Sequence, residues 1–343
     1  MAETTLDSGT GRNSTLAREE KPAYAFHPYL HMPADFFRRV LLREEKTADE
    51  SYFDILRKIL KEGEWKDTRT GIRALSIAGT VFEHDMANGL PLLTTKRMGI
   101  KSVAAELEFF IKGITDKRWL QDRKCTIWDE WANPKKAPYG HDDESKARMR
   151  AERDLGPVYG WQWRHFGAEY VNYDTDYTGK GCDQLAAMVG TLKRDPNNRQ
   201  QYVTAMDPNL VKQQALPPCH VAFHVTIIGN RLNLTWYQRS VDTPLGLPYN
   251  IASYAILLHL LTKEIGKEVN GLEEGKLVGF LSDVHIYENQ MDGVIEQLSR
   301  NPRRHGSSSL RTDSFKGIFD WQYTDTKVEG YESDPKIDFP IAV

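Results

Sequence analysis

The chain has 343 residues, 40% hydrophobic and 27% charged, with a formal net charge of −3. That length holds one large or two ordinary domains, and the composition is that of an ordinary soluble globular protein. The charge excludes a general basic footprint for nucleic acid, and no apolar run approaches the ~20 residues of a membrane span.

The N-terminus lacks a signal-peptide core. Three cysteines, Cys125, Cys182 and Cys219, fit a reducing, cytoplasmic setting better than a disulfide framework. No Cys/His spacing reads as a zinc site, so no metal is expected.

Residues 1–48 are polar and weakly patterned, with a Pro/His/aromatic patch at 24–33. They read as a flexible arm ahead of a catalytic domain at 49–343. Residues 51–62 have helical spacing: Phe53, Leu56 and Leu60 share a face, widened by Tyr52 and Ile59, and Gly63 ends it. A turn carrying Arg69 follows, then a strand over 75–84. Residues 102–112 predict a second helix, apolar nearly all round through Leu107, Phe109, Phe110 and Ile111. Glu106 on it is either a buried acid needing a partner or lies on a wet edge with Glu108. Residues 133–153 read as an insertion loop or short surface helix with no core of its own. A helix is predicted over 183–194, ended by Asp195-Pro196. Strands are predicted over 201–205, 221–228 and 232–237, with Gly229-Asn230 as a hairpin signal. Residues 251–265 predict a long central helix, and 284–298 another. The pattern is α+β.

Chemistry concentrates between Cys219 and Tyr254. Cys219 follows Pro217-Pro218, whose φ angles are fixed, and then precedes Arg239, Ser240, Asp242 and Asn250. A lone cysteine is often a small buried hydrophobe. Here a guanidinium, a hydroxyl, a carboxylate and a carboxamide accompany it, a set that suits an anionic, amide-bearing substrate.

Motifs elsewhere extend the set. Asp67-Thr68-Arg69-Thr70-Gly71, Leu93-Thr94-Thr95-Lys96-Arg97 and Thr126-Ile127-Trp128-Asp129-Glu130-Trp131 come first. Asp154-Leu155-Gly156-Pro157-Val158-Tyr159-Gly160, Pro217-Pro218-Cys219-His220, Tyr237-Gln238-Arg239-Ser240 and Asp283-Val284-His285-Ile286-Tyr287 follow in order. From about residue 50 to 343 the chain resembles the thymidylate synthase family, which includes the phage pyrimidine hydroxymethylases.

The resemblance implies one α+β domain with a mixed sheet at a back-to-back homodimer interface and helices packed on it. Its implied catalytic residues are Cys219 as nucleophile, Glu106 as the buried acid, Tyr159 beside the reacting ring and Asp242. Nearby arginines such as Arg239 are expected to depress the Cys219 pKa. Arg69, Arg239 and Ser240 are expected on the substrate phosphate, joined by Arg199 from a second subunit. His285 and Tyr287 would hold the deoxyribose 3′-hydroxyl. Asn250 offers a donor and an acceptor to uracil, pointing to dUMP rather than dCMP, although it could simply cap the following helix. The donor would be 5,10-methylenetetrahydrofolate. Trp128 and Trp131 would stack on it, Asp242 would bond the pterin amide, and Leu216, Leu245, Gly246 and Tyr249 would line its pocket. The tail Ile341-Ala342-Val343, with Ala342 at the folate, would seal the site.

Several positions depart from the family pattern. The adjacent arginine pair reads Arg199-Gln200. After His220 the family usually shows a glutamine followed by aromatic residues, and here the run is Val221-Ala222-Phe223-His224-Val225-Thr226-Ile227. Met206 stands for a tryptophan, and Gly99 for a side chain that often touches folate. These departures favour capture of the methylene intermediate by water, giving 5-hydroxymethyl-dUMP in the manner of a phage enzyme in a host cytoplasm. The alternatives are hydride capture giving dTMP, and a non-catalytic relative that binds nucleotide or RNA. Trp128 and the C-terminal valine argue for the synthase.

Overall fold

The computed structural model describes residues 46–342. Most of the expected arm, including the patch at 24–33, and Val343 lie outside the described residues.

Helix α1 (Ala48–Glu62) starts three residues before its apolar period does. The reason is a capping box: Glu50 N–H donates to Thr47 Oγ1 at 3.1 Å, and Thr47 N–H donates to Glu50 Oε2 at 2.8 Å. Tyr52, Phe53, Leu56 and Ile59 are fully buried, as the period requires, while Leu60 stays exposed. Asp49 at its start accepts four hydrogen bonds, from the backbone and hydroxyls of Thr94 and Thr95. This fixes the loop that carries Lys96.

Strands β1 (Glu64–Lys66) and β2 (Ala74–Asp85) follow. Then come the buried helix α2 (Ile100–Ile111) and a short α3 (Arg118–Gln121). Helix α4 (Asp143–Ala151) lies in the insertion. Contrary to expectation, that segment has a small core, formed by Ala132, Ala137 and Met149. Buried Lys117 secures it, its ammonium donating to the carbonyls of Asp129, Trp131 and Met149 at 3.1, 2.9 and 2.6 Å.

Helices α5 (Gly160–His165) and α6 (Gln184–Arg194) precede strands β3 (Tyr202–Thr204), β4 (His220–Ile228), β5 (Arg231–Gln238) and β6 (Val241–Asp242). The hairpin at Gly229-Asn230 joins β4 to β5 as predicted. Helix α7 (Gly246–Ile265) is central and almost wholly buried. It begins five residues early because Pro248 falls in its first turn, where a missing N–H costs no hydrogen bond.

The expected helix over 284–298 is a correction. Residues 273–287 form β7 (Glu273–Tyr287), and helical structure begins only after it, with a 3-10 turn at Glu288–Gln290 and then α8 (Met291–Ser299). Two long pairings override the local pattern: β7 runs antiparallel to β2 and parallel to β5. Strands β8 (Ser309–Arg311) and β9 (Lys327–Glu329) form a separate pair.

The main sheet is mixed, in the order β1-β2-β7-β5-β4-β3, with β6 beside β7. One face is the core. Phe82, Gly279, Trp236, Phe223 and Val203 form a single row across it. Gly279 is required there, because a Cβ would lie 2.4 Å from the Trp236 ring. That ring stacks at 5.2 Å on Tyr254 of α7. The opposite face leaves Val81, Phe280, Tyr237 and Tyr202 between 43% and 57% exposed. No helix among the described residues is long and apolar enough to cross a membrane.

Candidate functional site

Cys219 sits at the entry to β4, its N–H donating to the Tyr159 hydroxyl at 2.8 Å. Tyr159 has φ +29°, a conformation costly for an aromatic residue. It is over-determined: the ring stacks between His220 at 4.2 Å and Phe110 at 4.9 Å. Gly160 allows this approach, since a Cβ there would lie 2.1 Å from the Phe110 carbonyl oxygen. The His220 imidazole, 3.0 Å from the Tyr254 hydroxyl, is kept neutral by burial, its pKa lowered to about 3.

Arg239 backs the nucleophile. Its N–H donates to the Cys219 carbonyl at 2.8 Å, and its guanidinium donates to the carbonyls of Pro218 and Pro217, both at 2.9 Å. The expected depression of the thiol pKa is not found. Burial raises it, with Arg239 and the Tyr159 hydroxyl pulling the other way. The low-dielectric wall outweighs one guanidinium already engaged by two carbonyls. Cys125 is buried, with its thiol pushed up to about 12, and Cys182 is exposed.

Glu106 on α2 accepts from Trp128 Nε1 at 2.7 Å, and burial raises its carboxyl to about 7. Glu106 is half-buried and engaged by Trp128, and it shares no wet edge with Glu108. Glu108 is buried, bonded to Lys112 at 2.5 Å and to the Tyr323 N–H at 2.8 Å. Trp128 itself is buried edge-on to Phe110 and Tyr159.

Asn250 is inside α7 rather than at its cap. Its Oδ1 accepts from Gln238 Nε2 at 3.0 Å. Gln238 in turn accepts from Trp236 Nε1 at 3.2 Å and donates to the Ser240 carbonyl at 3.2 Å. Gln238 was not singled out by sequence reasoning; it lies in the Tyr237-Gln238-Arg239-Ser240 run, but nothing in the run links it to Asn250.

Pairing of β6 with β7 sets Asp242 beside His285. Burial raises the Asp242 pKa, against hydrogen bonds from the Leu245 N–H at 3.1 Å and from Gln290 Nε2 at 3.3 and 3.2 Å. His285 donates from Nδ1 to the Asp283 carbonyl at 2.8 Å and meets the Tyr287 ring at 5.0 Å. Burial pushes the Tyr287 phenol up to about 12, with Arg69 among the nearby charges. Arg69 is exposed and lies 4.3 Å over the ring of Tyr139, which stacks on Trp131 at 5.9 Å. Leu216, Leu245, Tyr249 and Trp131 are half-buried against the core. Gly246 borders Asp242 and Asn250.

The tail crosses this region. Phe339 covers Lys96 at 4.6 Å, Ile341 is 56% exposed and Ala342 is half-buried. Lys96 bonds to the Pro244 carbonyl, and burial lowers its ammonium to about 7. Arg199 is the residue not brought in. It is exposed, its carbonyl accepting from His224 Nε2 at 3.0 Å on the outer sheet face. Among the described residues no cluster of acidic, His and Cys side chains could hold a metal.

A family model described as thymidylate synthase matches residues 50–343. The chain belongs to the thymidylate synthase family. A curated relative, the bifunctional dihydrofolate reductase-thymidylate synthase of Paramecium tetraurelia, is 39% identical over 300 residues. The match covers 88% of this chain and 62% of the relative, so the chain spans under two thirds of that protein's length. Members of the family are one-carbon transferases that use methylenetetrahydrofolate as donor.

Proposed function

We propose that this chain converts dUMP to dTMP with 5,10-methylenetetrahydrofolate, acting as a homodimer. The observation that carries the reading is the Trp128–Glu106 hydrogen bond at 2.7 Å, set against Phe110 and against Tyr159, whose hydroxyl accepts from the Cys219 N–H. An acid raised by burial to about 7 suits proton transfer near neutral pH, which supports the role given to Glu106.

Cys219 adds to carbon 6 of the base as a thiolate, with Arg239 as the cation that favours that form. Glu106 manages the carbon 5 proton. Asn250 reads the uracil edge, His285 and Tyr287 take the sugar, and Arg69, Arg239 and Ser240 take the phosphate with Arg199 of a second copy. Two features support a pterin at the folate site: half-buried Asp242 offers a carboxylate acceptor, and Gly246 leaves the surface between it and Asn250 without a side chain. When bound, the donor supplies a methylene group and the hydride that reduces it.

Departures at His224, Met206 and Gln200 favoured water capture and 5-hydroxymethyl-dUMP. In this chain His224 points to the outer sheet face, toward the Arg199 carbonyl. Met206 is neither in the main core nor packed against it, and Gln200 is exposed. None of them supports a water path to Cys219, which is why hydride capture is the reading preferred. The exposed row of Val81, Phe280 and Tyr237 supports the homodimer, an apolar stripe typical of a covered face. Product analysis in labelled water is the test. Unlabelled dTMP with stoichiometric dihydrofolate is expected, and oxygen-labelled 5-hydroxymethyl-dUMP with tetrahydrofolate would overturn the proposal.

A further inference from the structure

Gln290 lies between β7 and α8, and its side chain is 1% exposed. Its amide bonds to three different parts of the site. Oε1 accepts from the Tyr287 N–H at 3.1 Å. Nε2 donates to both oxygens of Asp242, at 3.3 and 3.2 Å, and to the Pro340 carbonyl at 3.1 Å. The last contact is the most C-terminal hydrogen bond holding the tail to the body among the described residues. Just before it, Phe339 packs on Lys96 and against Gly293, where a Cβ would fall 2.6 Å from the ring. Just after it, Ile341 is exposed.

We propose that Gln290 is a positioning residue that couples docking of the C-terminal tail to ligand occupancy at Asp242. The proposal rests on the reading of Asp242 as the pterin partner given above. A ligand N–H donated to Asp242 favours its ionised form, and an ionised acceptor strengthens the bond from Gln290. A firmly held Nε2 keeps its second hydrogen on Pro340. By linkage, a docked tail must then favour the same ligand by the same factor. An amide suits this post because it donates twice and accepts once; a carboxylate cannot donate, and an apolar side chain does neither.

The test uses the full chain and two readouts. The first is tryptic cleavage at Lys336, an exposed tail residue with a side chain 67% accessible. In the wild type, dUMP with tetrahydrofolate is expected to slow that cleavage about tenfold, within the usual range of coupling between sites. In Gln290→Met, cleavage without ligand should quicken, and the ligand protection should vanish. The second readout is kinetic. The same variant should raise the KM for methylenetetrahydrofolate about tenfold, while dUMP affinity shifts about twofold at most.

Gln290→Glu is the second variant and covers the case in which Gln290→Met fails to fold. It keeps the acceptor for Tyr287 but sets a carboxylate against Asp242. As pH falls, that glutamate protonates and can donate again, so tail protection should return, which a packing role would not produce. The titratable groups around it are Asp242, His285 and Tyr287, with Cys219, Lys96, Asp49 and Tyr52 beyond. The comparison is therefore made against the wild type at each pH.

Wild-type tail protection and folate KM in Gln290→Met would overturn the proposal. So would equal losses in folding, dUMP binding and folate binding, or a Gln290→Glu protein with no recovery at low pH. If the wild type makes no product from dUMP, the proposed function fails instead, and unliganded cleavage at Lys336 still reads the role of Gln290.

Discussion

Gln238 fixes which way Asn250 faces. Trp236 Nε1 can only donate, so the end of Gln238 that meets it must be Oε1, at 3.2 Å. That leaves Gln238 Nε2 for Asn250, whose Oδ1 accepts at 3.0 Å. The carboxamide then offers its N–H₂ and one remaining lone pair, the complement of the uracil O4 and N3–H edge.

Two substitutions check this relay. Asn250→Asp should move preference from dUMP toward dCMP, since an unmatched polar group in a dry site costs ~1–3 kcal/mol, roughly one to two decades in kcat/KM. Gln238→Leu should narrow the discrimination between the two nucleotides while leaving Cys219 reactive. Competition kinetics with both substrates measure the outcome; unchanged discrimination in Gln238→Leu would separate Gln238 from base reading.

Cys219→Ser should fold normally and lose several orders of magnitude in turnover, because neither buried Cys125 nor exposed Cys182 can replace it. Burial raises the pKa of the Cys219 thiol. Alkylation of Cys219 by iodoacetamide should therefore be slow at neutral pH, and slower still in Arg239→Ala. Mass spectrometry of the labelled peptide follows both rates.

Glu106 carries a pH signature in stability. Its folded pKa of about 7 lies above the ordinary 4.5 because of burial, so the native state binds more protons than the unfolded state between those values. Stability from this group is full at low pH and is lost as pH rises through about 7. Glu106→Gln, inactive in turnover, should thus gain in Tm relative to the wild type at pH 8, and the gain should shrink toward pH 5. Trp128→Phe removes a hydrogen bond that lowers the Glu106 pKa. It should move the Glu106 limb of the kcat profile upward.

Phe280, half exposed on the outer sheet face, tests assembly. Phe280→Asp should yield monomers by sedimentation and abolish turnover, because the proposed phosphate site needs Arg199 of a second copy. A monomer with full activity would show that one chain suffices.

The sequence by itself determined whatever depends on local period or side-chain chemistry. Helices α1 and α2, the β4–β5 hairpin and central α7 follow from apolar spacing and the Gly229-Asn230 turn. Cys219, Glu106, Asp242 and Asn250 stand out because the family chemistry needs a thiol, an acid, a carboxylate and a carboxamide. The tertiary structure decided what depends on burial and on partners far along the chain. Residues 273–287 became a strand because β2 and β5 flank them. The Cys219 thiol pKa is raised because burial outweighs Arg239, a balance no arginine in the sequence reveals. The junction at Gln290 joins residues 242, 287 and 340 through one amide, and hydrogen bonds of that span leave no mark in local sequence.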